Sequence, residues 1–312
     1  MDGEDRTFRL TFRHFIISNQ DVLIKRLSEK ALNLSRSHSP RLLVSVRNVV
    51  EAESALAGGC HVLDLKEPDR GPLGMADSST IAAVIAHIQN SNLSVPMSVA
   101  LGEVVDWKSG RSVPRLSARI SYLKLGTAGL GTGTGWTGHF GDIKRRFEAV
   151  SGRTFGGRGE TASDGESPPS NWIAVAYADW EAANGPAPED VIEMATTCGL
   201  VGVLIDTFLK ANGGLFAWLT GDRLQSLAAL ARSRNLSLAL AGRLQIGDIP
   251  NLLSLGPEIV GIRSAACRAG VRTGDIDAAA VRAFRQALDA TRAGRQSEVD
   301  RLGGTSPSCK TT

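Results

Sequence analysis

The sequence predicts a single (β/α)8 domain, a TIM barrel of the α/β class, and three observations carry that expectation. Short β-branched or Leu-rich runs alternate with amphipathic stretches over about 250 residues, eight such runs can be counted, and chargeable residues recur at their carboxyl ends. A chain of 312 residues that is 42% hydrophobic can bury a core of that size.

In chain order, the series opens with LLVSV (42–46), followed by a helical stretch at 49–57. HVLDLK (61–66) comes next, with a helix predicted at 78–88. PMSVA (96–100) leads into 101–120, where Gly102, Gly110, Pro114 and scattered apolar residues predict a short helix or a loop. SYLKLG (121–126) precedes a helix at 140–150, and WIAVA (172–176) precedes one at 188–198. VGVLID (201–206), LSLALA (236–241) and EIVGIR (258–263) are followed by helices at 223–234, 249–255 and 277–288. The helical stretches carry apolar residues at i, i+3, i+4 spacing, as helices packed on a parallel sheet do.

An open doubly wound sheet is the competing architecture, but it usually has fewer strands. GTGWTG (133–138) matches the dinucleotide-binding pattern GxGxxG, yet it starts seven residues after the end of SYLKLG instead of forming its tight turn. No acidic residue ends a following strand at the right distance, so the motif reads as a flexible loop. Outside the periodic region lie an N-terminal extension (1–40), a Gly/Ser/Arg-rich surface insertion (151–171) and a tail (291–312) expected to be disordered. They frame a catalytic domain at 41–290.

Composition excludes several functions. The formal charge is only +3, aromatic residues make up 5%, and the basic residues are dispersed, so no nucleic-acid partner is expected. Cys60, Cys198, Cys267 and Cys309 form no CxxC or Cys/His pair, and His14, His38, His61, His87 and His139 form no HExxH or i, i+4 pair, so neither metal nor cofactor is expected. There is no GxSxG nucleophile elbow. Early charges and a short apolar cluster make a poor export signal, and no apolar run reaches the roughly 20 residues of a membrane span, so a cytoplasmic, membrane-free protein is expected. A homo-oligomer is left open.

In this fold chemistry sits where strands end and loops begin. Period-two alternation puts Asp64 and Lys66 on one face of the second strand and Leu63 and Leu65 on the other. If the leucines pack against the helices, a carboxylate and an amine point into the lumen together. Burial lowers a lysine from about 10.4 toward a neutral, nucleophilic amine, whereas a neighbouring carboxylate works the other way. One such pair alone reads as a solvated salt bridge, and Lys124 alone as a snorkelling residue. Asp64/Lys66, Lys124 and Asp206/Lys210 come from three strands, however, and would converge on one rim. Strand five leads into Tyr177 and Asp179. Strands seven and eight end in AGR (Gly242, Arg243) and GIRSAAC (Gly261, Arg263, Ser264), where glycine N–H groups and arginines suit a phosphate.

Together the blocks LLVSVRNVVEAESALAGGCHVLDLKEPDRGPLG, YLKLG, AVAYAD, GLVGVLIDTFLKANGGLF, LALAGRLQIGDIP and EIVGIRSAACRAGVRTGDID resemble the (5-formylfuran-3-yl)methyl phosphate synthases of methanofuran biosynthesis. That family is also known as 4-(hydroxymethyl)-2-furancarboxaldehyde-phosphate synthases. The resemblance implies a TIM-barrel lyase that joins two glyceraldehyde 3-phosphate molecules with loss of one phosphate and two waters. It implies Lys66, in DLKEP, as the Schiff-base former and Lys124, in YLKLG, as proton acceptor, assisted by Asp64, Asp206 and Lys210. Arg243 and Arg263, with Gly242, Gly261, Ser264 and Asp179, would hold the small phosphorylated sugar. The chain departs from the family in its weakly helical third connection, the 151–171 insertion and residues 1–40. Two rival functions remain open: another Schiff-base phosphotriose or phosphopentose aldolase or lyase, and a non-catalytic phospho-sugar sensor.

Overall fold

A computed structural model describes residues 39–303, apart from 92–93, 108–109, 134, 152–170 and 212. Almost all of the expected N-terminal extension and of the 151–171 insertion, and residues 304–312 of the expected tail, lie outside the described residues.

Eight parallel strands close into a barrel in sequence order. They are β1 (Arg41–Val46), β2 (Val62–Leu65), β3 (Met97–Glu103), β4 (Ile120–Gly126), β5 (Asn171–Tyr177), β6 (Gly202–Asp206), β7 (Ser237–Leu240) and β8 (Ile259–Ile262). Each pairs with its successor, and β8 returns to β1 with Leu43 opposite Gly261. The helices are α1 (Val49–Ala57), α2 (Ser78–Asn90), α3 (Trp136–Ser151), α4 (Pro188–Thr197), the single turn α5 (Leu215–Trp218), α6 (Gly221–Ser233), α7 (Ile249–Leu255) and α8 (Ala278–Gly303).

Local chemistry sets these boundaries. The Asn48 side chain accepts the Glu51 N–H at 3.0 Å and starts α1, and Thr220 does the same for α6 through Arg223 at 3.3 Å. Pro188 stands in the first turn of α4, where its missing N–H costs nothing. The third connection is a single 3-10 turn, Val104–Trp107, followed by irregular chain, in line with its glycines and proline. The second half of GTGWTG begins α3, so only its start is loop. Helix α8 runs to Gly303, into residues expected as a disordered tail.

Two apolar clusters show how the alternating strands are used. Leu63, Leu65, Val99, Leu123, Val203 and Leu240 pack outward with the helices. Ala100, Ile173, Val175, Tyr177 and Leu204 pack inward around the lumen. Because Leu63 and Leu65 belong to the outer layer, Asp64 and Lys66 face inward.

Candidate active site

The inward faces enclose a cavity of about 90 Å³, lined by residues from both ends of the barrel, among them Arg41 and Tyr122 near the bottom and Lys66, Lys210 and Ser264 at the mouth. Small residues keep this space open where a barrel interior is normally filled. Ser45, Ser98, Ala239 and Gly261 all line it. At Gly261 a Cβ would stand 3.3 Å from the Ala241 Cβ and 3.5 Å from the Leu43 side chain, so even alanine would crowd the passage.

Strand register assembles the first charged group. Ser45 is opposite Asp64, Asp64 opposite Ser98, and Ser98 opposite Tyr122, which makes one layer across four strands. The Ser45 hydroxyl donates to Asp64 Oδ2 at 2.8 Å, and Lys124 Nζ stands 2.5 Å from Asp64 Oδ1. Burial alone would raise the Asp64 carboxyl, but the charges of Lys124 and Lys66 and the two side-chain contacts hold it below the usual range. A carboxylate that stays ionised keeps Lys124 in place.

Lys66 follows two residues along the same face, just past the end of β2, with its N–H donating to Val46 O at 3.0 Å. It is buried and lines the cavity, yet among the described residues its amine has neither a hydrogen-bond nor an ion-pair partner. Burial pushes that amine down to about 7; the Asp206 and Asp64 carboxylates oppose the shift, and the Lys124 and Lys210 charges reinforce it. At neutral pH a large fraction is therefore uncharged and free to attack a carbonyl.

The second charged group stands at the end of β6. Asp206 Oδ1 accepts from Lys210 Nζ at 2.7 Å and from the Thr207 N–H at 2.8 Å. Although burial would raise it, Lys210 and Lys66 hold the Asp206 carboxyl at about 2. Burial lowers the Lys210 amine against the pull of Asp206, and that amine also donates to Thr207 O. Thus Asp64, Lys66, Lys124, Asp206 and Lys210 come together as the sequence predicts, and all line one cavity.

The expected phosphate ligands divide. Gly242, Arg243 and Ser264 line the mouth, and Arg243 Nη1 donates to Lys210 O at 2.6 Å from a backbone at φ +50°. Asp179 is not among the lining residues, because its two oxygens accept the N–H groups of Phe208 and Leu209 at 2.6 and 2.7 Å. It fixes the loop that carries Lys210. Gly261 lies inside the barrel ladder, where it clears the lumen. Arg263 lines the cavity, but its Nη1 donates to Glu51 Oε2 and Ser45 O at 2.8 and 2.9 Å. Its Nη2 reaches Glu51 Oε1 at 3.2 Å and its Nε donates to Arg272 O at 2.8 Å, so its donors are engaged before any ligand arrives.

Two residues of the barrel interior, Glu103 and Ser98, are not anticipated from the sequence. Tyr177 donates its hydroxyl to Glu103 Oε1 at 2.5 Å, and Glu103 Oε2 accepts the Ala128 N–H at 2.9 Å. Burial pushes the Glu103 carboxyl up to about 7; the Tyr177 and Ala128 hydrogen bonds restrain it, and Asp106 and Asp206 add to it. The carboxyl lies over Gly126, where a Cβ would stand 2.0 Å from Oε2. The signal was hidden because β3 continues through a bulge at Gly102, φ +83°, to Glu103, in a segment whose composition reads as loop. Ser98 is the second: its hydroxyl is buried in the cavity wall with no partner among the described residues.

The 4-HFC-P synthase family matches residues 42–285, nearly the whole barrel. The chain belongs to the 4-HFC-P synthase family. It is 33% identical to the (5-formylfuran-3-yl)methyl phosphate synthase of Methanococcus aeolicus over 233 residues, covering 74% of this chain and 92% of that protein. The enzymes of the same name from Methanocaldococcus jannaschii and Methanopyrus kandleri are 32% and 30% identical, covering 78% and 80% of this chain and 98% and 99% of theirs. The span matched by the 4-HFC-P synthase family contains every residue of the two lysine–aspartate groups. Among the described residues, no helix is long and apolar enough to cross a membrane, and no cluster of His, Cys, Asp or Glu could hold a metal ion.

Proposed function

We propose that the protein is a (5-formylfuran-3-yl)methyl phosphate synthase, a lyase of methanofuran-type cofactor biosynthesis that condenses two glyceraldehyde 3-phosphate molecules with loss of one phosphate and two waters. The family relation supports the product. The observation that carries the mechanism is the unpartnered Lys66 amine, held at about 7 and facing the cavity.

The neutral amine attacks the triose aldehyde, and the carbinolamine loses water to an iminium. The iminium acidifies the adjacent carbon, and a base removes its proton. Lys124, held by Asp64, gives its proton to the hydroxyl that leaves the carbinolamine as water and is then that base. The resulting enamine either expels phosphate or attacks the second aldehyde. Lys210 and Asp206, across the mouth, move protons to the departing hydroxyl groups. Hydrolysis of the final iminium returns Lys66.

Borohydride added with glyceraldehyde 3-phosphate, followed by peptide mass spectrometry, tests the reading. A reduced adduct on the Lys66 peptide, with a furan aldehyde absorbing in the near ultraviolet when borohydride is omitted, is the expected result. Reversible aldol cleavage without the chromophore would replace it with an aldolase, and binding with no adduct at all would leave only a sensor.

A further inference from the structure

The cavity holds a cation that neither the sequence reading nor the mechanism uses. Arg272 lines the same mouth as Lys66, Lys210, Gly242, Arg243 and Ser264. It lies nine residues beyond Arg263 in a loop closed by the isolated bridge between Cys267 and Ile276 and by the Arg268 N–H donating to Asp275 O at 3.1 Å. Arg263 pins this loop over the barrel end, donating to Arg272 O at 2.8 Å and to Gly274 O at 3.4 Å.

Three mouth cations lack a carboxylate within ion-pair distance among the described residues: Lys66, which the mechanism uses, Arg243, whose Nη1 is engaged by Lys210 O at 2.6 Å, and Arg272. Lys124 is paired with Asp64, Lys210 with Asp206, and Arg263 with Glu51. Among the described residues, no carboxylate stands within ion-pair distance of the Arg272 guanidinium, and its side chain makes no hydrogen bond. It is half-buried. Burial pushes the guanidinium below its ordinary value, against the more distant pull of Asp206, and the charge of Arg263 pushes the same way. Even so, an arginine remains charged. A positive charge kept without a partner in a partly desolvated pocket is stabilised by an anion, and a guanidinium matches the oxygens of a phosphate in bidentate fashion.

We infer that Arg272, which shares the cavity mouth with Gly242, Arg243 and Ser264, is the group that binds the phosphate, while Arg263 is a positioning residue that holds the loop bearing it. The proposal rests on the phosphotriose reading only for what carries the phosphate. The phosphate is either the ester of a bound triose or free phosphate, and the shared chemistry is a tetrahedral dianion.

Calorimetry on the full chain with inorganic phosphate and with glycerol 3-phosphate separates these claims, since neither probe needs Lys66 chemistry. Arg272→Gln is expected to weaken binding of at least one probe tenfold or more, with Arg272→Lys intermediate. Unpaired cation that it is, Arg272 contributes little to the fold, and melting temperatures of both variants verify this. Should Arg272→Gln fail to fold, Arg272→Lys must still weaken binding severalfold. Tighter wild-type binding of glycerol 3-phosphate assigns the site to the substrate ester, and equal binding assigns it to free phosphate. Wild-type affinity for both probes in a folded variant would overturn the proposal. Borohydride trapping of the wild type with glyceraldehyde 3-phosphate is the separate control: if it forms no adduct while Arg272→Gln still loses phosphate binding, the Schiff-base reading falls and the phosphate site stands.

Discussion

Lys66 and Arg263 are each 5% exposed at the same end of the barrel, and they are buried in opposite ways. Arg263 meets Glu51 through two nitrogens and three carbonyl oxygens besides, and Glu51 also accepts from Arg47 Nε at 2.8 Å. The Lys66 amine meets no hydrogen-bond or ion-pair partner among the described residues, although two carboxylates stand near enough to act on it through space. A buried charge that is fully hydrogen-bonded is bound to the fold, whereas one left without contacts changes its protonation state and becomes reactive. The difference separates the architecture of this barrel end from its chemistry.

The sharpest way to break the contrast is Lys66→Ala. Turnover should fall at least about 10⁴-fold, as when a covalent nucleophile is removed, with no adduct on borohydride trapping. Stability should not fall with it. In the native state the Lys66 amine is depressed to about 7, while the unfolded chain holds its proton to about 10.4, so the unfolded state binds more protons between those values and burial of this group costs stability below them. The wild-type trapping rate should accordingly rise with pH through about 7 and level off above. A rate that is flat from pH 5 to 9 would mean that the amine is not the titrating nucleophile.

Lys124→Gln comes next. Loss of a proton acceptor predicts turnover reduced by about 10²–10⁴-fold, while Lys66 is still trapped. Because the Lys124 charge helps to depress the Lys66 amine, the pH midpoint of trapping should also move up. Loss of trapping together with turnover would move Lys124 from proton transfer to Schiff-base formation.

On the other side of the comparison, Arg263→Met leaves the buried Glu51 with Arg47 as its remaining cation, and should cost up to about 3 kcal/mol in urea unfolding. The double variant Glu51→Leu with Arg263→Met should regain most of that loss, since an apolar pair replaces a buried ion pair at little cost. If the single variant is as stable as the wild type and merely binds phosphate less well, Arg263 is a ligand after all.

The same comparison explains what could be read in advance. Asp64 and Lys66 were legible because a period of two fixes the faces, and the apolar residues between them could only go outward. Arg263 carries the same signal, an arginine at a strand end, but its meaning depends on Glu51, 212 residues earlier and on a helix. Nothing local announces that partner. Asp179 takes a place the sequence does not announce for a related reason: its oxygens accept peptide N–H groups of the next strand's loop, a contact between neighbouring units that one unit does not encode. Arg272 sits in a loop without periodicity, and Glu103 follows a glycine that reads as a break but forms a bulge. Periodicity encodes faces, so the strand ends were readable and the loops that complete the mouth were not.

The smallest expected effect concerns Glu103, which lies between the two cases, with one carboxyl oxygen accepting from Tyr177 and the other from a backbone N–H. Its carboxyl is raised to about 7, whereas an unfolded glutamate titrates near 4.3. Between those values the native state holds a proton that the unfolded state has released. The contribution is therefore complete below about pH 4.3 and disappears as pH rises through about 7. Glu103→Gln stays neutral throughout, so its melting temperature should match the wild type near pH 4 and exceed it at pH 8, by on the order of 1 kcal/mol once its partial exposure is allowed for. Glu103 does not line the cavity, so turnover should change by less than the about 10²-fold loss expected for a proton-transfer group. Parallel melting curves at both pH values would place the carboxyl with the satisfied charges beside Arg263, and a larger kinetic loss would place it with Lys66, because Asp206 adjoins both groups.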